Sequence, residues 1–138
     1  MIHEFIKAHE GLRLKPYSDT LGRLTIGFGR CLDTTGITKE EAEYLFANDV
    51  TRATNAAMRV YGERFGDLKP ARQAALISMA YQLGEVGLAG FKDMLAYARA
   101  GDWEQAAKEA MESRWATQTL RRASETAEML RTGEYQIG

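Results

Sequence analysis

Apolar positions along this chain recur at two different periods. In "IHEFIKAHEG" the residues Ile2, Phe5, Ile6 and His9 fall at helical spacing, and Gly11 halts the pattern just past Glu10. From Leu14 to Phe28 the period changes. "LRLKPYS" and "RLTIGFG" alternate loosely around "DTLG", whose aspartate, threonine and glycine favour turns. The spacing predicts a small antiparallel hairpin with Asp19 in its turn region and Thr25 on its second strand.

Helical periodicity then returns for the rest of the chain. In "GITKEEAEYLFANDVTRATNAAMRVYG", Thr38 and Glu41 form a T-x-x-E capping box, and Ala42, Leu45, Phe46, Ala53, Ala57 and Val60 share one face. "KPARQAALISMAYQLG" comes after it, with Pro70 suited to a first helical position. From Ala74 to Leu83 it is apolar nearly all round, which predicts a buried central helix. Shorter helices are expected in "GFKDMLAYARAG", "DWEQAAKEAMES" and "SRWATQ". A last one in "TLRRASETAEMLRTG" has Thr119 as N-cap and Gly133 past its end. The expected class is α+β: a small β-containing lobe beside an all-α bundle, with a cleft between them.

Composition narrows the function classes. The chain is long enough for one domain with a sizeable core, and its hydrophobic share of 45% argues against wholesale disorder. A net charge of -1 gives no global attraction to nucleic acid or to a membrane surface, so an anionic partner must be met by local charge. Cys31 is the only cysteine, which excludes an intramolecular disulfide. "MIHEFIKAHEG" lacks the basic and apolar regions of a signal peptide, and no apolar run is long enough to span a bilayer. With two histidines and no clustered cysteines, no metal site is expected, and His9 reads as a helix-face residue.

The candidate chemistry lies in "HEGLRLKPYSDTLGRLTIGFG", which gathers Glu10, Asp19 and Thr25. They are either ordinary polar residues of a surface or an acid, a base and a water holder. Glycoside hydrolysis uses two carboxyl groups, one to protonate the leaving oxygen and one to assist water. A separation of about 6.5–9.5 Å admits a water and inverts the anomeric centre, whereas about 5–5.5 Å lets the second carboxylate attack directly. Spacing alone does not choose between these readings, because tertiary packing fixes the separation.

The ordered set "E-G-L-R-L-K-P-Y-x-D-T-x-G-x-x-T-I-G-x-G" resembles the T-even phage lysozymes, muramidases of glycoside hydrolase family twenty-four. Glu10, Asp19 and Thr25 keep both of that family's intervals. The likeness continues through "GITKEEAEYLF", "YQLGEVGLAGF", "SRWATQT" and "RTG", so it covers essentially the whole chain. It implies a single lysozyme domain over residues 1–138: a small lobe at about 12–37, a linking helix at about 38–61, and a helical lobe at about 62–138 that includes helix 2–10. It further implies hydrolysis of the β-1,4 bond between N-acetylmuramic acid and N-acetylglucosamine in bacterial peptidoglycan, with inversion and without a cofactor. By the same resemblance Glu10 is the general acid, Asp19 the base or electrostatic stabiliser, and Thr25 the residue that positions water.

Arg122 matches the family arginine that lies against the catalytic glutamate. On the residues alone it is either a solvated cation or the partner of a distant carboxylate, since a cation near a helix N-terminus is mildly unfavourable. Tyr81 and Gln82 match an aromatic–glutamine pair that lines the saccharide cleft, although core packing is the default reading of Tyr81 in so apolar a helix.

Four departures stand out. Only "LDTTG" separates Cys31 from Ile37, where larger relatives carry a further strand and helix. Arg30 replaces the usual histidine, so a lobe-stabilising ion pair is not assumed. Met94 and Glu109 replace a serine and an asparagine, so those cleft contacts are not carried over. The chain also lacks the basic excess that helps many such enzymes reach an anionic wall.

The leading expectation is a monomeric phage endolysin that accumulates in the host cytoplasm. It would reach the wall through a separate pore-forming protein, without nucleic-acid binding or membrane insertion of its own. Two alternatives differ in kind. A lytic transglycosylase needs only the acid, and the retained Asp19 and Thr25 argue against it. A non-catalytic wall-binding virion module is opposed by the intact trio but kept open by the shortened lobe.

Overall fold

The computed structural model describes residues 1–136. Positions 137 and 138, the end of the expected helical lobe, lie outside the described residues. The chain divides into two compact units, Met1–Leu45 and the remainder from Phe46 onward.

The first unit opens with α1 (Ile2–Glu10), which stops where Gly11 takes a φ of 72°. Its apolar residues Ile2, Phe5 and Ile6 are exposed, with the Phe5 ring set against that of His9 at 4.4 Å between centroids. A three-stranded antiparallel sheet comes next, in the order β1 (Arg13–Ser18), β2 (Leu24–Gly27), β3 (Arg30–Cys31). Pro16 cannot donate to a ladder, and it lies in the edge strand β1, where the register slips between Arg13 and Tyr17. The expected hairpin is therefore present, with one addition. Gly27 and Gly29, at φ 71° and 76°, turn the chain back into β3, so β2 becomes the central strand. Thr25 pairs with Tyr17 on one side and Cys31 on the other, and is 3% exposed.

The short connection to α2 (Lys39–Tyr61) is closed by polar contacts. The predicted capping box forms: the Thr38 N–H donates to Glu41 Oε1 at 2.8 Å, and the Glu41 N–H donates to Thr38 Oγ1 at 3.1 Å. Arg30 supplies an ion pair where none was assumed. Its Nη1 lies 2.5 Å from Glu41 Oε1 and also donates to the Gly36 carbonyl. Arginine is long enough to span the abbreviated loop and meet both acceptors.

The second unit holds the hydrophobic core. α2 contributes Ala53, Ala56, Ala57 and Tyr61, whereas Leu45 and Phe46, expected on the buried face, stay about half exposed. A 3₁₀ turn (Glu63–Asp67) leads to α3 (Pro70–Ala89), with Pro70 in the first turn as predicted. The expectation of a helix buried all round is corrected. Ala71, Ala75, Leu76, Met79 and Ala80 form one buried face, while Tyr81 is 43% exposed. Gly84, at φ 77° and ψ 174°, breaks the helical path before Leu88 re-enters the core.

Next come α4 (Lys92–Arg99), α5 (Trp103–Met111), α6 (Arg114–Gln118) and α7 (Leu120–Thr132). Asp102 caps α5 and Ser113 caps α6 through their side chains. Thr119 holds the N-cap position of α7, yet its hydroxyl donates to the Trp115 carbonyl and leaves the α7 amides alone. Gly133 ends α7 in the left-handed region. Fully buried alanines, Ala106 and Ala110 on α5 and Ala123 on α7, let these two helices pack closely on each other, and α7 also packs on α3, which carries the buried Leu76 and Met79.

Leu76→Ala should lower the stability of the second unit by about 2–5 kcal/mol in urea unfolding, because its side chain is fully enclosed. The Arg30 guanidinium, with the Thr38 amide, pulls the Glu41 carboxyl down to about 2 from an ordinary 4.5. A lowered folded value means that the pair stabilises fully above about pH 4.5 and loses that contribution as pH falls toward 2. Glu41→Gln should therefore melt earlier than wild type at pH 6, with the difference shrinking across that window.

Candidate active site

Glu10 is the last residue of α1, and the turns on either side of β1 and β2 determine what surrounds it. The turn at Gly11 leads into β1, and the return of the chain after β2 brings Gly29 against the Glu10 carboxyl. A Cβ at position 29 would collide with Glu10 Oε2 and Cδ, and Gly29 also needs its φ of +76°. The positive φ favours glycine there, and an added Cβ would have to push the flexible Glu10 carboxyl aside.

Asp19 sits immediately after β1, in the turn that "DTLG" predicts. Its Oδ1 accepts the Leu21 N–H at 2.9 Å and the Arg23 N–H at 2.8 Å, and its Oδ2 accepts Arg23 Nε–H at 3.0 Å. The backbone closes the same loop, with the Asp19 N–H donating to the Arg23 carbonyl at 2.9 Å and the Gly22 N–H to the Asp19 carbonyl at 3.0 Å. The Arg23 backbone amide, aided by its guanidinium and the Leu21 amide, holds the Asp19 carboxyl below the usual carboxylate range, against a smaller opposing effect of burial. A carboxylate offers about four lone-pair positions, so three donors leave one open, on Oδ2.

Thr25, in the middle of the sheet, donates its hydroxyl hydrogen to the Arg23 carbonyl at 2.9 Å. Its proton is committed, and the oxygen faces any further partner as an acceptor. The residues around Arg23 therefore serve Asp19 and Thr25 together. The first unit also has a groove of about 580 Å³ lined by Ile26, Phe28, Ile37, Tyr44 and Leu45 with the charged Arg30, Glu40 and Glu41, and none of the three candidate residues lines it.

The other three candidates belong to the second unit. Tyr81 meets Phe46 edge to face, with ring centroids 5.9 Å apart, so it packs outside the core. Gln82 Oε1 accepts the indole N–H of the buried Trp115 at 2.9 Å, which ties α3 to α6. Arg122 is not a free cation: its Nη2 donates to the Ser78 carbonyl at 3.0 Å and to Ser78 Oγ at 2.9 Å. Met94 is 1% exposed and belongs to the core. Among the described residues, no group of three or more His, Cys, Asp or Glu side chains is placed to hold a metal ion. His9 instead has its Nδ1 3.0 Å from the Phe5 carbonyl.

Two contributors are missing from the sequence-based set. Arg23 carried a signal, four residues after Asp19 across a turn, but nothing marked it as a carboxylate partner. Gly29 lies inside "TIGFG", yet its contact with Glu10 is a tertiary one.

A mainly helical chain with a small antiparallel sheet, and a glutamate, an aspartate and a threonine in its first unit, fits the lysozyme class. The Phage lysozyme family matches residues 7–129, and the chain belongs to that family. It is 36% identical to the pre-baseplate central spike protein Gp5 of Enterobacteria phage T4, over 94% of this chain but only 27% of that protein. That alignment is 158 residues long, longer than the chain itself, so the relative holds residues with no counterpart here. Probable T4-type lysozyme 1 of Dictyostelium discoideum is 28% identical, over 96% of this chain and 94% of that protein. Probable T4-type lysozyme 2 of the same organism is 26% identical over the same shares.

Gly29→Ala and Gly27→Ala form a controlled pair. Both force alanine to a positive φ, a cost of about 1–2 kcal/mol, but only position 29 meets Glu10. Both variants should lose similar stability. Only Gly29→Ala should shift the Glu10 carboxyl ¹³C resonance and reduce wall-lysing activity at least about tenfold, the cost of a misplaced reacting group.

Proposed function

We propose that this chain is a peptidoglycan hydrolase of the muramidase type, cleaving between N-acetylmuramic acid and N-acetylglucosamine with inversion. The observation that carries the assignment of roles is the crowding of Asp19 by three N–H donors. A proton on that carboxyl would forfeit hydrogen bonds, so Asp19 is the ionised partner and Glu10 the group left to deliver a proton to the leaving oxygen. A water that donates one hydrogen to Asp19 Oδ2 and the other to Thr25 Oγ1 keeps a lone pair for the anomeric carbon. The charge of Asp19 also stabilises the oxocarbenium-like transition state. Family membership supports the substrate class.

In its cell the chain acts as a monomeric phage endolysin, made in the host cytoplasm and released to the wall by a separate pore-forming protein. One observation favours a second setting for the same chemistry. A relative 36% identical is named as a virion spike protein, of which this chain spans about a quarter. Mass spectrometry of purified virions separates the two: an endolysin is absent from them, whereas a spike lysozyme is a stoichiometric component.

The test of activity is turbidity loss of outer-membrane-permeabilised cells, with Glu10→Gln and Asp19→Asn alongside wild type. Glu10→Gln should retain less than a few per cent of the rate with unchanged circular dichroism, because an amide cannot deliver the proton. Asp19→Asn should be severely impaired. Soluble fragments should carry reducing ends. A 1,6-anhydro end, with Asp19→Asn at full rate, would instead establish a transglycosylase.

A further inference from the structure

The turn around Asp19 contains more than a backbone loop requires. Its backbone closure is complete without any side chain of Arg23, through the Asp19 amide and the Arg23 carbonyl. Arg23 nevertheless folds back and places Nε–H on Asp19 Oδ2 at 3.0 Å, while its own backbone N–H takes Oδ1 at 2.8 Å. One residue thus grips both oxygens of the carboxylate. The pair is partly open to solvent, with the Arg23 side chain 48% exposed and that of Asp19 22% exposed.

We propose that Arg23 is a positioning residue of the lysozyme site, clamping the Asp19 carboxylate in its ionised form and leaving one acceptor position on Oδ2 for the attacking water. The inference rests on the muramidase reading of Glu10, Asp19 and Thr25. The charge does part of the work, since a guanidinium beside a carboxylate opposes protonation. The geometry does the rest. A carboxylate fixed at both oxygens cannot rotate, so the remaining lone pair keeps one direction. The Arg23 carbonyl also accepts from Thr25, so the same residue sets the orientation of both proposed water partners.

Arg23 is the charged group that acts on Asp19, with the effect of burial opposing it. On the neighbouring elements, Asp33 is engaged by the Leu24 amide at 2.8 Å. The Cys31 thiol on β3 is lowered, chiefly by hydrogen bonds from Thr34 and slightly by Arg23 itself.

The experiment uses the full chain and three proteins: wild type, Arg23→Gln and Arg23→Lys. It records the pH profile of wall-lysing kcat/KM and, separately, the titration of the Asp19 carboxyl carbon by ¹³C NMR. Circular dichroism at each pH confirms that the variants stay folded. In wild type the acidic limb should lie below the ordinary aspartate range. Arg23→Gln should move the limb and the NMR titration upward together, with a smaller loss of rate on the neutral plateau. Arg23→Lys should fall between, because it restores charge but not the Nε–H direction. A merely structural arginine would lower the rate at every pH and leave both titrations where they were; that result overturns the clamp. A folded wild type without activity at any pH would overturn the muramidase reading, and the clamp's catalytic sense with it. An active wild type with an unshifted Arg23→Gln profile overturns the clamp alone.

Discussion

The carboxylate of Asp19 closes the turn between the first two strands, and the small sheet is organised around that closure. Its two oxygens collect the amides of Leu21 and Arg23 and the Arg23 guanidinium. Those contacts fix where β2 begins, and hence that Thr25 lies between Tyr17 and Cys31. They also bear on the proposed chemistry. An aspartate bound by three donors stays ionised, which makes it a fit partner for water and an unfit source of protons. Structural and chemical demands on this residue therefore point the same way.

The rest of the first unit is held by similar means. Among its described residues only Thr25 is fully buried, so apolar packing contributes little to its order. Polar closures stand in for a core: the Asp19 turn, the capping box of Thr38 and Glu41, and Arg30 spanning from β3 to Gly36 and Glu41. Arg30 is the residue that makes the abbreviated "LDTTG" connection workable. The second unit obeys the opposite rule, with alanine-lined helices around Leu76, Met79 and Leu130.

Much of this was legible in the sequence where a local rule applied. The capping box, the stops at Gly11 and Gly133, Pro70 in a first turn and the placement of Asp19 and Thr25 each depend on residues within one turn or hairpin. The failures share a cause. β3 is two residues long, too short for any period to register. The face shared by Leu45 and Phe46 was correctly apolar, but which part of a long helix is covered depends on what packs there. Thr119 has the right side chain for a cap, yet the Trp115 carbonyl competes for its hydroxyl. Candidate site residues were found through the resemblance. Their partners, Arg23 for Asp19, Ser78 for Arg122 and Trp115 for Gln82, appear only once the chain is folded.

The central claim is that an ionised Asp19 and Thr25 direct a water at the anomeric carbon while Glu10 protonates the leaving oxygen. The stereochemistry of the first product tests it most directly. Proton NMR of freshly released muramyl ends, taken before mutarotation, should show the α anomer, with ¹⁸O from labelled water at that carbon. A β anomer would mean that a carboxylate attacks the sugar itself, and an anhydro end without ¹⁸O would mean that no water takes part. Either result would contradict that claim.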